Sequence, residues 1–328
     1  MNFRNIKFIG RHIKKEDGEY FSYSGCGFEF CALPKKENWS FILSLVCELR
    51  EYECQYIAIY LNKKLFSIEK LVEGENKVSI NITNKKASNI RVIKLNETYL
   101  SSITLKSIEF CDAELGSLEK INKKKIGFYG DSVTCGFGNL DFHGLEFKME
   151  TEDFSKTYAY LTADALHMDY SVVARGGISV SIPIYNDKLI GDIYDTVDMF
   201  EKCNPELDLD YAVINLGAND NSGYLQLKDI ESKTKALTLF KNRYFDLIKR
   251  IIINNPNVVV ILMYHMLPLE SGIIDAIKST YQKACSNFQN KFILLECTEN
   301  TDGGCCHPYF TGHEEASKLL IKAIKRYE

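Results

Sequence analysis

The sequence predicts a protein of two domains, an all-β sandwich followed by an α/β domain with a parallel sheet. The chain has 328 residues, whereas one domain typically has roughly 100 to 200. From Asn2 to about Glu114, short runs rich in Ile, Val, Tyr and Phe follow one another, and further on apolar strands alternate with amphipathic helices. We therefore assign residues 1–115 to the β-sandwich, 116–124 to a polar, lysine-rich linker and 125–328 to the α/β domain.

The first domain is predicted from strand-like runs separated by clusters of Gly, Asn and Lys. β-Branched and aromatic residues favour strands, and such clusters favour turns. No convincing long amphipathic helix interrupts them, so a sandwich with the topology of a small jelly roll is the natural expectation. The predicted strands include Glu19–Leu33, Ser40–Leu49, Gln55–Leu61, Lys77–Ile82 and Asn89–Leu95.

The second domain is predicted from the alternation of strands and helices, which indicates a doubly wound parallel sheet. In such sheets ligands bind beyond the carboxyl ends of the strands, so the residues just after each strand are the candidates for a site. The predicted strands are Lys125–Tyr129, Tyr170–Ala174, Leu209–Leu216, Asn257–Tyr264 and Phe292–Glu296. The predicted helices are Thr151–Leu166, Ile230–Asn254, Gly272–Gln289 and Thr311–Arg326.

Composition argues against several classes of partner. The formal net charge is -4 and no long basic run occurs, so we expect no nucleic-acid partner. Residues 1–15 lack the continuous apolar core of a signal peptide and no stretch approaches a membrane span, so we expect a cytoplasmic protein without a membrane partner. The eleven cysteines are odd in number and scattered, which argues against a disulfide framework. The tightest pair, Cys305 and Cys306, is adjacent, and no pair has the two-residue spacing that lets two thiolates share one zinc.

A candidate nucleophile follows the first strand of the second domain. In Gly130-Asp131-Ser132, a tight turn would expose the serine hydroxyl near the amino end of the next helix. The tripeptide alone is more often a helix cap. Its extended context, Phe-Tyr-Gly-Asp-Ser-Val-Thr-Cys-Gly-Phe-Gly-Asn over residues 128–139, is far more specific.

Two further loops offer hydrogen-bond donors. Asn219, in Gly-Ala-Asn-Asp over residues 217–220, could donate its amide to a developing alkoxide. Taken alone, the same tetrapeptide is more typical of a turn. Gly176 and Gly177 follow the second parallel strand, and a ligand can approach their backbone N–H groups because no side chain intervenes.

The candidate base is His307, which lies after the last strand and directly precedes Pro308. A histidine near its ordinary pKa can accept the serine proton and return it to an alcohol leaving group. His313, in the first turn of the last helix, and His265, at a strand end, are weaker candidates.

Together, in chain order, these blocks resemble the SGNH, or GDSL, hydrolase superfamily, with the closest likeness to carbohydrate esterase family 2. Besides the motifs above, the matching stretches include Thr151–Ser155 with Tyr158-Ala159, and Gly312-His313. The likeness implies an amino-terminal jelly roll, a flavodoxin-like hydrolase domain, removal of acetyl groups from plant-type polysaccharides or oligosaccharides, and no metal or other cofactor.

The same resemblance implies individual roles. Ser132 would be the nucleophile and His307 the general base. The oxyanion hole would consist of the backbone N–H of Ser132, the side chain of Asn219 and one of Gly176 or Gly177. The choice between the glycines stays open, because Arg175 stands where the family often has its first glycine.

The third triad member departs from the family pattern. The superfamily usually has an Asp two or three residues before the histidine, but here those positions are Cys305 and Gly304. Asp302 is the nearest carboxylate and would reach the ring only if the glycines let the loop fold back. We favour instead a Ser-His dyad in which a backbone carbonyl orients the ring, since a thiol is a poor acceptor.

The expected function is that of a serine esterase acting inside the cell on acetylated oligosaccharides of xylan or mannan type. The alternatives are a lipase or thioesterase acting on a non-sugar ester, and a carbohydrate-binding protein with little or no turnover. The single tryptophan, Trp39, makes a dedicated aromatic binding platform less expected, although the many Tyr and Phe residues leave it open. The sequence does not determine the oligomeric state, and a homo-oligomer is one of the states that stay open.

Overall fold

The structure is a computed structural model that describes residues 3–50, 52–119, 121–185 and 187–327. The chain divides into two compact units. The first consists of Met1–Asn122 together with Val197–Cys203, and the second of Lys123–Thr196 and Asn204–Glu328. Within the predicted linker, residues 116–124, Lys120 lies outside the described residues.

The first unit is built from antiparallel strands in two sheets. In chain order the strands are β1 (Lys7–Ile9), β2 (Ile13–Lys15), β3 (Gly18–Phe21), β4 (Gly27–Pro34), β5 (Asn38–Leu49), β6 (Gln55–Leu61), β7 (Lys64–Leu71), β8 (Gly74–Thr83), β9 (Ser88–Lys94), β10 (Ser101–Cys111) and β11 (Ala113–Leu115). One sheet has the order β1-β4-β9-β6-β7, with β11 also paired to β4, and the other has the order β2-β3-β10-β5-β8.

The two sheets pack face to face through aromatic side chains. The rings of Phe30 on β4 and Phe41 on β5 meet edge to face at 5.4 Å between centroids. Along β5, buried residues alternate with more exposed ones, as expected when one face of a strand covers the core. Trp39 belongs to the buried face, with 3% of its surface exposed. Its indole is therefore part of the sandwich core and is not a surface platform.

The predicted run Glu19–Leu33 is not continuous but forms β3 and β4, because the chain turns between them. Gly25 has φ +75° in that turn, a left-handed conformation that glycine adopts without steric cost. The first unit also includes a segment from much later in the chain. The hydroxyl of Tyr20 donates to Oδ2 of Asp198 at 2.6 Å, and Tyr23 donates to the Asp198 carbonyl at 2.6 Å.

The second unit alternates strands and helices. These are β12 (Lys125–Gly130), α1 (Ser132–Cys135), α2 (Tyr158–Ala165), β13 (Asp169–Ala174), α3 (Ile190–Ile193), β14 (Tyr211–Asn215), α4 (Ala218–Gln226), α5 (Ile230–Asn254), β15 (Val259–Tyr264), α6 (Ser271–Asn287), β16 (Phe292–Glu296) and α7 (Phe310–Lys325). Short 3-10 turns occupy Met149–Thr151, Phe154–Lys156 and Gly304–Cys306. In the ranges that the structure describes, no helix combines the length and apolar character needed to cross a membrane.

The five strands of this unit form one parallel sheet in the order β13-β12-β14-β15-β16. Numbered within the unit this is 2-1-3-4-5, the flavodoxin-like order. The two-domain fold with a parallel sheet in the second domain is therefore confirmed. The loops that follow β12 and β14 leave the sheet at its topological switch point, where such folds bind their ligands.

The predicted helix Thr151–Leu166 is wrong in its first half, because the α-helix begins only at Tyr158. The segment contains two successive N-caps, Asp153 and Thr157, whereas a continuous helix would have one. Asp153 accepts a hydrogen bond from the Ser155 backbone N–H at 2.7 Å and starts a 3-10 turn. Thr157 then returns to an extended conformation, and its hydroxyl caps the helix by accepting from Tyr160 N–H at 3.3 Å.

Candidate active site

Ser132 lies where the central strand β12 ends and α1 begins. Asp131 is the N-cap of α1 and accepts a hydrogen bond from Val133 N–H at 3.0 Å. A side chain at Gly130 would overlap Thr134, so the turn requires glycine there. With Asp131 as the capping residue, the Ser132 hydroxyl is left for another partner. That partner is His307, whose Nε2 lies 2.9 Å from Ser132 Oγ.

The second ring nitrogen of His307 meets a backbone carbonyl. Nδ1 lies 3.1 Å from the carbonyl oxygen of Cys305, and because a carbonyl only accepts, Nδ1 carries the proton. In the neutral ring Nε2 then has a lone pair facing the serine hydroxyl. Burial lowers the pKa of His307, and the backbone groups of Cys305 and Gly304 oppose that shift. The ring is therefore neutral at pH 7, as a general base must be.

The Cys305 carbonyl is held by contacts between two loops. Gly304 N–H donates to the Gly138 carbonyl at 2.8 Å, and Cys305 N–H donates to the Gly144 carbonyl at 2.7 Å. The ring of Phe137 lies over the imidazole of His307, with 4.5 Å between centroids. Thus the loop that follows α1 fixes the loop that precedes α7. Sequence inspection missed Phe137, although it lies inside the conspicuous 128–139 motif.

Asp302 does not meet His307. Its Oδ2 accepts a hydrogen bond from Asn300 Nδ2 at 3.0 Å, and Asn300 in turn accepts from the Tyr309 backbone N–H at 2.7 Å. Among the described residues no hydrogen bond or ion pair joins Asp302 to the imidazole. The carboxylate belongs to a turn organised by Asn300.

Asn219 lies in the first turn of α4, with 9% of its surface exposed. Its Nδ2 donates to the carbonyl of Ile178 at 2.9 Å. An amide has two N–H donors, and no second hydrogen bond from this Nδ2 is found in the described part of the chain. Gly177 has φ +72°, and a Cβ there would lie 2.9 Å from Cβ of Tyr185. This position therefore requires glycine on both conformational and steric grounds.

Residues 217–220 form a helix start, and the turn that the tetrapeptide suggests is not observed. Gly217, with φ +124°, is the N-cap of α4. Asp220, which sequence inspection left without a role, is fully buried. Its carboxylate accepts from Val180 N–H at 2.7 Å, Ser181 N–H at 2.8 Å, Ser181 Oγ at 2.9 Å and Ile182 N–H at 3.0 Å. Asp220 therefore ties the segment that follows Gly177 to α4.

Burial raises the pKa of Asp220, while the donors from residues 180–182 oppose the shift. Asn219 and Asp220 together make one connection. The Asn219 amide donates to the Ile178 carbonyl, and the Asp220 carboxylate accepts from the backbone N–H groups that follow in the same segment, beginning with Val180. The signal in the sequence was the Asn-Asp pair itself, since short polar side chains often bond to neighbouring backbone.

Two other histidines, His313 and His265, have partners of their own. His313 is fully buried in α7, and its Nδ1 accepts from Tyr158 N–H at 3.3 Å. Burial lowers its pKa to about 3, so it remains neutral. His265, after β15, has Nε2 2.7 Å from a carboxylate oxygen of Glu299. No hydrogen bond joins either ring to Ser132 among the described residues.

Exposed aromatic side chains occur on the loops that supply site residues. Tyr185, which lies against Gly177, is 63% exposed. Phe142, on the loop that holds Gly304 and Cys305, is 61% exposed, and its ring lies 5.2 Å from that of Tyr309. Within the described ranges no group of three or more His, Cys, Asp or Glu side chains could hold a metal ion.

The arrangement is suited to acyl transfer. A serine hydroxyl faces a neutral histidine, the other ring nitrogen is fixed by a carbonyl, and backbone and amide donors lie at neighbouring strand ends. This is the set of groups that nucleophilic catalysis on an ester needs.

Comparison with known proteins found no matching family model. Among curated proteins, the cellulase/esterase CelE of Acetivibrio thermocellus is 30% identical over 159 residues, which cover 45% of this chain and 18% of that protein. The match therefore spans less than a fifth of the relative's length.

Solved structures match over nearly the whole chain. A family two carbohydrate esterase from Clostridium thermocellum in complex with cellohexaose has a TM-score of 0.86 at 19% identity, with 98% of each chain covered. An acetyl xylan esterase from the rumen bacterium Butyrivibrio proteoclasticus has a TM-score of 0.85 at 18% identity, covering 100% of this chain and 97% of that one. The resemblance to carbohydrate esterase family 2 thus holds for the fold of both domains.

Proposed function

We propose that this protein is a serine esterase that removes O-acetyl groups from acetylated polysaccharides or oligosaccharides through an acyl-enzyme intermediate. The observation that carries the proposal is the 2.9 Å contact between Ser132 Oγ and His307 Nε2 at the carboxyl edge of the parallel sheet. The similarity in fold to carbohydrate esterases, and the partial sequence match to a cellulase/esterase, support it.

In the first half of the reaction, His307 Nε2 takes the proton of Ser132 as Oγ attacks the acetyl carbonyl. The carbonyl oxygen becomes an alkoxide, which the Ser132 N–H, the Asn219 amide and a glycine N–H are proposed to stabilise. Gly177 has a left-handed backbone and no side chain. A ligand can therefore come close to the backbone N–H groups of Gly176 and Gly177. His307 then gives its proton to the sugar oxygen, which leaves as an alcohol.

In the second half, a water molecule loses its proton to His307 Nε2 and attacks the acetyl-serine. The tetrahedral intermediate collapses, His307 returns the proton to Ser132 Oγ, and acetate leaves. Throughout, the Cys305 carbonyl would accept the hydrogen bond from Nδ1–H. A carbonyl dipole stabilises an imidazolium less than a full carboxylate charge does, so the fixed position of the ring is the principal contribution of this loop.

The choice of substrate rests on the rim of the site. Pyranose rings have apolar faces that pack on aromatic side chains. Two such side chains are exposed, Tyr185 against Gly177 and Phe142 on the loop that contacts Gly304 and Cys305. The two solved relatives described above are carbohydrate esterases, and one of them was captured with a cello-oligosaccharide. We therefore favour a sugar ester over a lipid ester or a thioester.

Acetate release from acetylated xylo- and manno-oligosaccharides tests the proposal. Wild type should release acetate, and Ser132→Ala should abolish release. Ser286→Ala, an exposed serine on α6 whose hydroxyl donates to Gln282, is the matched control and should behave as wild type. Equal activity of wild type and Ser132→Ala would contradict the proposal. A preference for long acyl esters over all acetylated sugars would favour a lipase.

A second candidate function is binding of carbohydrate without turnover. It is favoured by the exposed aromatic residues and by the absence of a carboxylate beside His307 in the described residues. Titration calorimetry with an acetylated oligosaccharide separates the two. If wild type and Ser132→Ala bind equally and neither releases acetate, the binding function replaces the esterase.

A further inference from the structure

Two adjacent thiols precede the proposed base. Cys305 and Cys306 are the only consecutive cysteines in the sequence. Both are free thiols, Cys306 is exposed and Cys305 is partly exposed. Both have a left-handed backbone, with φ +51° and +59°. One exposed and one partly exposed thiol, the latter on the residue whose carbonyl orients His307, form a chemical group that the proposed esterase reaction does not use.

We propose that Cys305 and Cys306 form an oxidation site, at which a small-molecule disulfide generates a vicinal disulfide that displaces the Cys305 carbonyl from His307 and lowers turnover. The inhibitory effect rests on the proposed esterase function. The oxidation itself does not.

The coupling follows from the covalent structure. The carbonyl that accepts from His307 Nδ1 belongs to the peptide unit between Cys305 and Cys306. A disulfide between adjacent residues closes a small ring that contains this same peptide unit. Ring closure constrains the torsion angles on both sides of this peptide unit, so we expect the carbonyl to turn away from His307 Nδ1.

The reduced loop is held in place by two contacts of Cys305, one of which oxidation would remove. The thiol of Cys305 donates to the carbonyl of Leu145 at 3.5 Å, and its N–H donates to Gly144 at 2.7 Å. Once Cys305 Sγ is part of a disulfide, it has no proton to donate to Leu145. The loop thus loses one tether and gains a ring constraint at the same position.

The order of events follows from exposure. The more exposed Cys306 would attack the small disulfide first, forming a mixed disulfide and releasing one small thiol. Cys305, whose thiol pKa is raised by burial, would then lose its proton and displace the second small thiol. In sum two protein thiols become one disulfide, and one small disulfide becomes two thiols.

The bond would be easily reversed. Across a trans peptide consecutive Cα atoms lie about 3.8 Å apart, whereas most disulfides join Cα atoms separated by roughly 4.4 Å or more. Strained, exposed disulfides have higher reduction potentials and are typically the labile ones. Reduction by a dithiol should therefore restore the loop.

The test uses the whole protein treated with oxidised glutathione and then with dithiothreitol. The peptide containing residues 305 and 306 should lose two hydrogens by mass. Hydrolysis of an aryl acetate should fall by about tenfold or more, as for loss of a group that positions a general base, and should recover on reduction. Cys306→Ser should keep its basal activity and resist the oxidant. Cys285→Ser, which removes an exposed thiol elsewhere, should remain as sensitive as wild type.

Two outcomes would overturn the proposal. In the first, Cys305 and Cys306 stay reduced, or one of them remains in a mixed disulfide with glutathione and the internal disulfide does not form. The other is a disulfide that forms while turnover is unchanged. If reduced wild type does not hydrolyse esters at all, the proposed esterase function is wrong. The effect of the disulfide on the contact between the Cys305 carbonyl and His307 is then measured by the nitrogen-15 chemical shift of His307 Nδ1. A shift change on oxidation supports the proposal, and an unchanged shift contradicts it.

Discussion

Replacing Asp302 with asparagine tests which group orients the imidazole. In a Ser-His-Asp triad the carboxylate bonds to the second ring nitrogen, and neutralising it costs roughly 10⁴-fold in turnover. Here that nitrogen meets the Cys305 carbonyl at 3.1 Å, and the only side chain bonded to the Asp302 carboxylate among the described residues is Asn300. Asp302→Asn removes the charge and keeps the shape.

The expected loss can be worked from these contacts. The substituted amide can still accept from Asn300 Nδ2 through its oxygen, so only the charge assistance of one hydrogen bond disappears. That difference is about 1 kcal/mol, which corresponds to roughly a fivefold effect even if all of it appeared in the transition state. Asn300 also keeps its bond to Tyr309 N–H at 2.7 Å, so the start of α7 stays in place.

The measurement is kcat/KM for an aryl acetate and for an acetylated oligosaccharide. Asp302→Asn should lose less than about tenfold on both, or less than 1.4 kcal/mol of transition-state stabilisation. Asp229→Asn, at the exposed N-cap of α5, is the matched control and should be neutral. A loss by Asp302→Asn approaching the triad value would mean that the carboxylate reaches His307 in the working enzyme, and the carbonyl account would be wrong.

Four other predictions concern residues around the same site. Asn219→Ala should lower kcat by roughly 100-fold with little change in KM, because the amide is proposed to act on the alkoxide; an effect on KM alone would assign it to binding. Asp220→Asn should lower the free energy of unfolding by about 1 to 3 kcal/mol in urea denaturation, since one oxygen that accepts from backbone becomes a donor; unchanged stability and kcat would leave this buried carboxylate without a role. Because burial lowers the pKa of His307, the base stays unprotonated below the ordinary value of about 6.5, and the acid limb of kcat/KM should have its midpoint below that pH rather than above it. His313, with a folded pKa of about 3, binds its proton more readily when unfolded, so stability should fall as the pH drops from about 6.5 towards 3; His313→Gln should flatten that slope in denaturation curves, and an equal slope would contradict it.

Much of the fold could be predicted because local signals and packing agree. The long helix Ile230–Asn254 has the predicted bounds, since Asp229 caps its first turn by accepting from Ser232 N–H at 2.7 Å. The strand Phe292–Glu296 is also found as predicted. The segment before α2 was not predictable in this way. Its interruption depends on Asn139, which bonds both to the backbone N–H of Asp153 and to its carbonyl, and a contact so distant in sequence leaves no periodic signal.

The site was predictable to a similar degree and for a related reason. Parallel strands end at one edge of the sheet, so residues after β12, β13 and β14 had to lie near one another. Which acceptor would meet His307 could not be deduced in that way. The choice of acceptor depends on the left-handed backbone at Cys305 and Cys306. Cysteine rarely adopts this conformation, so the sequence gives no indication of it.

The same backbone explains how His307 can be oriented although no carboxylate among the described residues bonds to its ring. A carboxylate on a flexible side chain orients an imidazole by charge and tolerates some movement of its loop. A carbonyl offers only a dipole, so its loop must be fixed by other means. Here Gly138 and Gly144 accept from Gly304 and Cys305, and a Cβ at Gly138 would lie 2.8 Å from the Gly304 oxygen. The close approach of two loops, possible only at glycine, therefore fixes the orientation of His307 as an acid does in a triad, but without the charge, and any chemistry that moves the 305–306 peptide acts directly on the proposed base.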